Sequence, residues 1–221
     1  MNKFSIQPSV ICSDLCNLET EVKALEQAGV QSLHIDVLDG AFAPSLPVGI
    51  DTFIQLSKKT SLPFDVHIMS NNNDWFIDKC VEMNPERICF QIESEEDPKG
   101  KLEKIKAHGI KAGLAISPET PLDEKLLKEC DFILLMRIKP GYASYQVEIS
   151  PEVNKKIVEA RKILGDKDIV IDGRVNLETI EELLKLGATC FVCGSKSIFA
   201  SKDYKTNVEK VKEVYMKACG A

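Results

Sequence analysis

The sequence predicts an α/β protein, a (β/α)8 TIM barrel whose eight parallel strands form one domain over residues 1–221. Three observations carry this. Eight short runs rich in apolar and β-branched residues alternate with longer amphipathic runs, and the connections are mostly a few residues long. A chain of 221 residues, 44% hydrophobic and 28% charged, is also long enough for one large core. An open doubly wound sheet gives a similar string, but no G-x-G-x-x-G turn follows the first run, which lowers that alternative.

The first strand is expected in "FSIQPSVI" (4–11), and "NLETEVKALEQAG" behind it is opened by Asn and closed by Gly as a helix should be. "SLHIDVL" (32–38) and "PFDVHIM" (63–69) are the second and third strands, followed by the helical "NDWFIDKCVEMN". "RICFQIE" (87–93) leads into "PKGKLEKIKAHG", which has Pro at its start and Gly at its end. "KAGLAI" (111–116) and "FILLMRI" (132–138) come next, then the helix "PEVNKKIVEARKIL". "DIVIDG" (168–173) precedes "NLETIEELLKLG", and "TCFVCGS" (189–195) precedes the last helix, "NVEKVKEVYMKACG".

Composition narrows the function. The net charge is −6 and the Lys and Arg residues are scattered over amphipathic runs, which argues against nucleic acid as a partner. An anionic substrate must then be held locally. Eight cysteines sit mostly in apolar runs of a chain too large to need staples, so they read as buried thiols. In "CFVC" Cys190 and Cys193 fall on opposite faces of a strand, which argues against a chelating or redox pair. "MNKFSIQPSV" lacks the apolar core of a signal peptide and no run reaches the length of a membrane span. A cytoplasmic homo-oligomer with no membrane partner is expected.

The chemistry is signalled by "HIDVLDG" (34–40). In an extended chain His34, Asp36 and Leu38 share one face while Ile35 and Val37 share the other. An imidazole and a carboxylate on a buried strand must be paired, hydrated or bound to something. A barrel gathers its active site where strands end, and reactive residues collect there: Ser9, His34 with Asp36, His67, Asp172 with Gly173, and Gly194 with Ser195. The third of only three histidines, His108, precedes a helix-ending Gly and reads as surface. Taken singly, each residue has a commoner structural role: a hydrogen-bonded core histidine or a helix-capping aspartate. Their joint placement on three strand ends favours a two-histidine, two-carboxylate site for one divalent metal: Zn, Fe, Mn or Co. A metal flanked by carboxylates suits proton abstraction beside a carbonyl, one carboxylate taking the proton and the other returning it. That inverts a stereocentre.

These stretches resemble the ribulose-phosphate 3-epimerase family nearly end to end. "QPSVICSDL" is similar to its opening P-S strand, "HIDVLDGAFAPSLPVG" to H-x-D-x-x-D-G-x-F-x-P, and "FDVHIM" to D-x-H-L-M. "KAGLAISPETPL", "MRIKPGY", "VIDGRV" and "VCGSKSIF" are similar to later segments. The resemblance implies a metal-dependent (β/α)8 isomerase of the pentose phosphate pathway that interconverts ribulose 5-phosphate and xylulose 5-phosphate. It implies His34, Asp36, His67 and Asp172 as metal ligands, with Asp36 and Asp172 doubling as the acid/base pair. Ser9 would orient substrate oxygens and help hold Asp36, Met69 and Met136 would line the pocket, and Asp39 and Gly40 would shape a loop. Leu38 departs from the family's methionine. The phosphate is expected against Gly173, Arg174, Gly194 and Ser195, beside a short helix in "SKSIF", with Gly141 nearby.

Departures cluster at that end. "PGYASYQ" (140–146) replaces P-G-F-x-G-Q, Arg174 replaces the second glycine of D-G-G, Gln91 replaces a common histidine and Ser45 a common asparagine. Arg174 either contacts the phosphate or forces the substrate into a different pose. Allulose 6-phosphate or another ketose phosphate is the alternative substrate. Two other classes remain: a Schiff-base aldolase using Lys139, whose simpler reading is a solvated loop lysine, and a non-catalytic sugar-phosphate binder. Retention of all four ligand positions counts against the binder.

Overall fold

The alternation read from the sequence becomes the two faces of a closed sheet. The computed structural model describes residues 5–141 and 149–218. Its strands are β1 Ser5–Pro8, β2 Leu33–Leu38, β3 Phe64–Met69, β4 Arg87–Gln91, β5 Lys111–Ile116, β6 Phe132–Met136, β7 Asp168–Asp172 and β8 Cys190–Cys193. All pair in parallel in the order β1-β8-β7-β6-β5-β4-β3-β2, and a bridge between Ser9 and His34 spans the remaining gap. The barrel therefore closes at the end where the polar residues lie.

The helices are α1 Leu18–Gln27, α2 Ile50–Ser57, α3 Asn73–Val81, α4 Pro98–Ala107, α5 Glu124–Glu129, α6 Glu152–Leu164, α7 Leu177–Leu186 and α8 Tyr204–Ala218. Side chains cap several starts: Asn72 accepts from Trp75 N, Asp97 from Gly100 N, and Asn176 forms a reciprocal capping box with Thr179. Helices α2 and α5 are additions to the sequence reading. Both are short, and α2 starts at Gly49 with no side-chain cap. The expected helix in "SKSIF" is only a three-residue 3-10 turn, Ile198–Ala200, too short to offer a helix N-terminus to an anion. His108 is exposed.

Outward residues such as Leu33, Ile35, Val37, Val66, Ile68 and Ile171 join the main core between barrel and helices. A second cluster of Cys89, Ala115, Phe132, Leu134, Met136, Val170 and Val192 fills the barrel. Cys190 belongs to the inner cluster and Cys193 to the outer one, as opposite faces of one strand require. The seven cysteines among the described residues carry free thiols. No described helix is long and apolar enough to cross a membrane.

Inside the barrel the apolar cluster draws mainly on β5 to β8, while the polar side chains come from β2, β3, β4 and the two ends of β7. Arg87 donates from Nε to Asp65 Oδ1 at 2.9 Å, reaches Asp168 at 3.4 Å, and lies 4.6 Å above the Phe132 ring. Burying this cation is tolerable because two carboxylates and an aromatic face meet it. Gly113 makes the space: a Cβ there would lie 2.7 Å from the Phe132 ring.

Candidate metal centre and active site

Strand alternation and register assemble the site. Asp36 pairs in register with His67, and Met136 with Asp172. His34 Nε2 lies 3.2 Å from Asp36 Oδ1, and His67 Nδ1 lies 3.3 Å from the same oxygen and 3.8 Å from Asp172 Oδ2. Ligand atoms of all four residues fall within 4.8 Å of one another. Both histidines are fully buried, Asp36 nearly so, and Asp172 is the most open at 16%.

The structure offers an internal test of fit to a metal. His34 Nε2 and His67 Nδ1 are buried ring nitrogens without a hydrogen-bond partner, and both face this cluster. Such orphaned atoms are costly unless something binds them. Ligand atoms about 2.1 Å from a shared ion stand roughly 3.4 Å apart, near the 3.2 and 3.3 Å separations about Asp36 Oδ1 and shorter than the widest, 4.8 Å. The far side of three of the four groups is already held. Asp65 Oδ2 meets His34 Nδ1 at 3.1 Å, and Ser9 Oγ donates to Asp36 Oδ2 at 2.6 Å. Gln91 faces His67 Nε2 at 2.9 Å. These four residues therefore form a cluster able to hold a divalent metal, with outer partners that aim the ligands.

The electrostatics separate the two carboxylates. Burial works against the charge on Asp36, but His34 and His67 outweigh it and hold Asp36 below the usual carboxylate range. Burial and then the nearby Asp36 push Asp172 up to about 6. For His34 burial opposes the charge, but Asp36 and Asp65 together raise its pKa well above the usual value. Metal binding must displace such protons, so affinity is coupled to pH.

A cavity beside the cluster is lined by Ser9, Asp36, Met136, Gly141, Asp172, Gly173, Arg174, Gly194 and Ser195, all expected from the sequence. His34 and His67 lie beneath it, fully buried. Met69 is set apart, packed with Leu38 and Ala43. Asp39 accepts backbone hydrogen bonds from Ala41, Phe42 and Asn71, a loop-shaping role. Lys139 is exposed and does not line the cavity, which removes support from the Schiff-base alternative.

A family model described as the ribulose-phosphate 3 epimerase family matches residues 5–199. The chain belongs to that family. As a family member it is an epimerase. The ribulose-phosphate 3-epimerase of Methanocaldococcus jannaschii is 34% identical over 97% of this chain and 92% of that protein. The one from Aquifex aeolicus is 32% identical over 96% and 97%. Among solved structures, phosphoribosyl anthranilate isomerase from Thermus thermophilus superposes with a TM-score of 0.66 at 14% identity, covering 98% of this chain and 99% of that one. A mutant tryptophan synthase α-subunit from Pyrococcus furiosus gives 0.64 at 18% identity with both chains fully covered. At these identities the likeness is one of fold.

Around the candidate site stand residues to which the sequence reading gave no role there, Gln91 having been marked only as a departure. Cys12, Ile138, Val175 and Lys196 line the cavity, and Asp65 and Gln91 back the histidines. Asp65 had a readable signal, since it sits two residues before His67 and shares its face. Cys12 is held as a thiol by burial and by Asp36, its pKa pushed up to about 11. The altered loop "PGYASYQ" falls mostly outside the described residues: only Pro140 and Gly141 are within them.

Proposed function

We propose that this epimerase is a metal-dependent 3-epimerase of a ketose phosphate, interconverting ribulose 5-phosphate and xylulose 5-phosphate through an enediolate. One observation carries the reading: Asp36 and Asp172 converge with two orphaned histidine nitrogens beside a cavity. When bound, the metal (Zn, Fe, Mn or Co) polarises the ketone and stabilises the charge of the enediolate. His34, Asp36, His67 and Asp172 would hold it. One carboxylate removes the C3 proton, and the other delivers a proton to the opposite face of the same carbon. Ser9 fixes Asp36 and is available to a substrate hydroxyl.

The phosphate is assigned to the end of the cavity lined by Gly173 and Gly194, where Arg174, Ser195 and Lys196 add polar groups. Arg174 departs from the glycine of the family pattern at the rim of this cavity, and this keeps allulose 6-phosphate as the alternative substrate behind ribulose 5-phosphate. A panel of ketose phosphates assayed on metal-replete protein separates the two. Asp36→Asn and Asp172→Asn should each reduce turnover at least about a hundredfold in folded protein, the scale of a positioned acid or base. Near-wild-type rates in either variant would show that the roles are misassigned. Elemental analysis of purified protein should find about one divalent metal per chain; finding none, with activity indifferent to chelators, would sink the metal assignment.

A further inference from the structure

His67 is held from behind by a side chain that the sequence marks only as a departure. Gln91 ends β4 fully buried, and its Nε2 faces His67 Nε2 at 2.9 Å. Ser117 Oγ lies 3.5 Å from Gln91 Oε1, across the amide from the ring. A half turn of the amide exchanges its nitrogen and oxygen without changing its shape. The two orientations dictate two tautomers of the ring. With NH2 toward His67 Nε2, the ring hydrogen sits on Nδ1 and blocks the lone pair facing Asp36 and Asp172. With Oε1 toward Nε2, the hydrogen sits on Nε2 and Nδ1 is bare. Ser117 tolerates both, because a hydroxyl donates and accepts.

We propose that Gln91 is a positioning residue for the metal centre: in the metal-loaded protein its Oε1 accepts from His67 Nε2 and keeps Nδ1 bare toward the metal. It does for His67 what Asp65 does for His34, with one difference. Asp65 is a carboxylate anchored by Arg87 and can only accept, whereas the Gln91 amide must take up the right orientation. The centre thus has one histidine preset by charge and one set by a neutral, reversible amide. Loss of such outer partners typically weakens metal binding about 10–100-fold.

This inference rests on the metal reading above, and the test separates the two. Zn²⁺ affinity is measured by competition with a chromophoric chelator for wild type, Gln91→Met and Gln91→Glu, alongside thermal unfolding of each metal-free protein. Met keeps the volume and removes the acceptor; Glu keeps an acceptor oxygen. The expected result is a loss of at least about tenfold for Met and a clearly smaller loss for Glu, with the metal-free Met variant folded, though less stable because His67 Nε2 loses its partner. Wild-type affinity in Gln91→Met overturns the proposal, as does a loss in Gln91→Glu equal to that in Met. If Gln91→Met does not fold, Gln91→Glu decides alone: retained affinity supports the acceptor role, and a tenfold or greater loss contradicts it. A wild-type protein that binds no Zn²⁺, Fe²⁺, Mn²⁺ or Co²⁺ at all defeats the metal reading itself, and this inference with it.

Discussion

Arg174 sits at φ 52°, a left-handed backbone conformation that disfavours side chains other than glycine, at the rim of the cavity. Such strain is typically about 1–3 kcal/mol, and it persists where surrounding structure or function holds it. Arg174→Gly should therefore keep or raise the thermal midpoint while raising KM for the phosphorylated substrate and weakening inhibition by inorganic phosphate. Unchanged KM and inhibition would mean that the guanidinium points away from the anion. Asp172 makes a second residue-scale forecast. Burial and Asp36 raise it to about 6, so the folded metal-free protein binds this proton more tightly than the unfolded chain does, whose value is near 3.9. Metal-free wild type should lose stability from this group as pH rises through about 4 to 6, with the loss complete above that. Asp172→Asn has no such proton, so its midpoint should gain on wild type between about pH 4 and 6 and hold that gain above; a gap constant across the window would contradict the shift. At this scale the candidate cluster was legible because period two puts His34 with Asp36 and His67 on inward faces. Gln91 was not legible as a partner of His67, because the pairing crosses from β3 to β4 and depends on a buried amide that sequence alone does not orient.

At the scale of elements, all eight strands were legible, since each is a β-branched or apolar run ended by polar residues. The short α2 and α5 were not: α5 has a capping Asp123 but only six residues, and α2 has an apolar face but only eight residues and no side-chain cap, so each offers just one of the two signals over a short span. Gly113 shows what an element hides. In β5 it reads as a minor weakening of a strand, yet the fold uses its missing side chain to seat Phe132 beneath Arg87. A Cβ there would lie 2.7 Å from the ring and 2.8 Å from the Phe132 carbonyl oxygen, so turning the ring does not relieve the clash. Gly113→Ala should cost about 1–3 kcal/mol. Differential scanning calorimetry should show the midpoint falling several degrees, at about 2–4 °C per kcal/mol for a chain of this size. An unchanged midpoint would mean that β5 and β6 can part without penalty.

The whole molecule divides its interior into an apolar side that fills the barrel and a polar side that runs from Asp65 and Arg87 up to the four candidate ligands. This division was readable only in part. The strand ends told where the site lies, but the Asp65, Arg87 and Asp168 network joins residues up to 81 positions apart and appears only once the barrel closes. The central claim is that a metal held by this polar side lets two carboxylates exchange a proton at one carbon. Its most direct measurement follows the C3 hydrogen of ribulose 5-phosphate by NMR in D2O, with metal-replete and metal-stripped protein. The account predicts deuterium at C3 together with xylulose 5-phosphate, both lost on stripping and restored by one equivalent of divalent metal. Epimerisation that continues at full rate in stripped protein, or metal-replete protein that leaves C3 unexchanged, would contradict it.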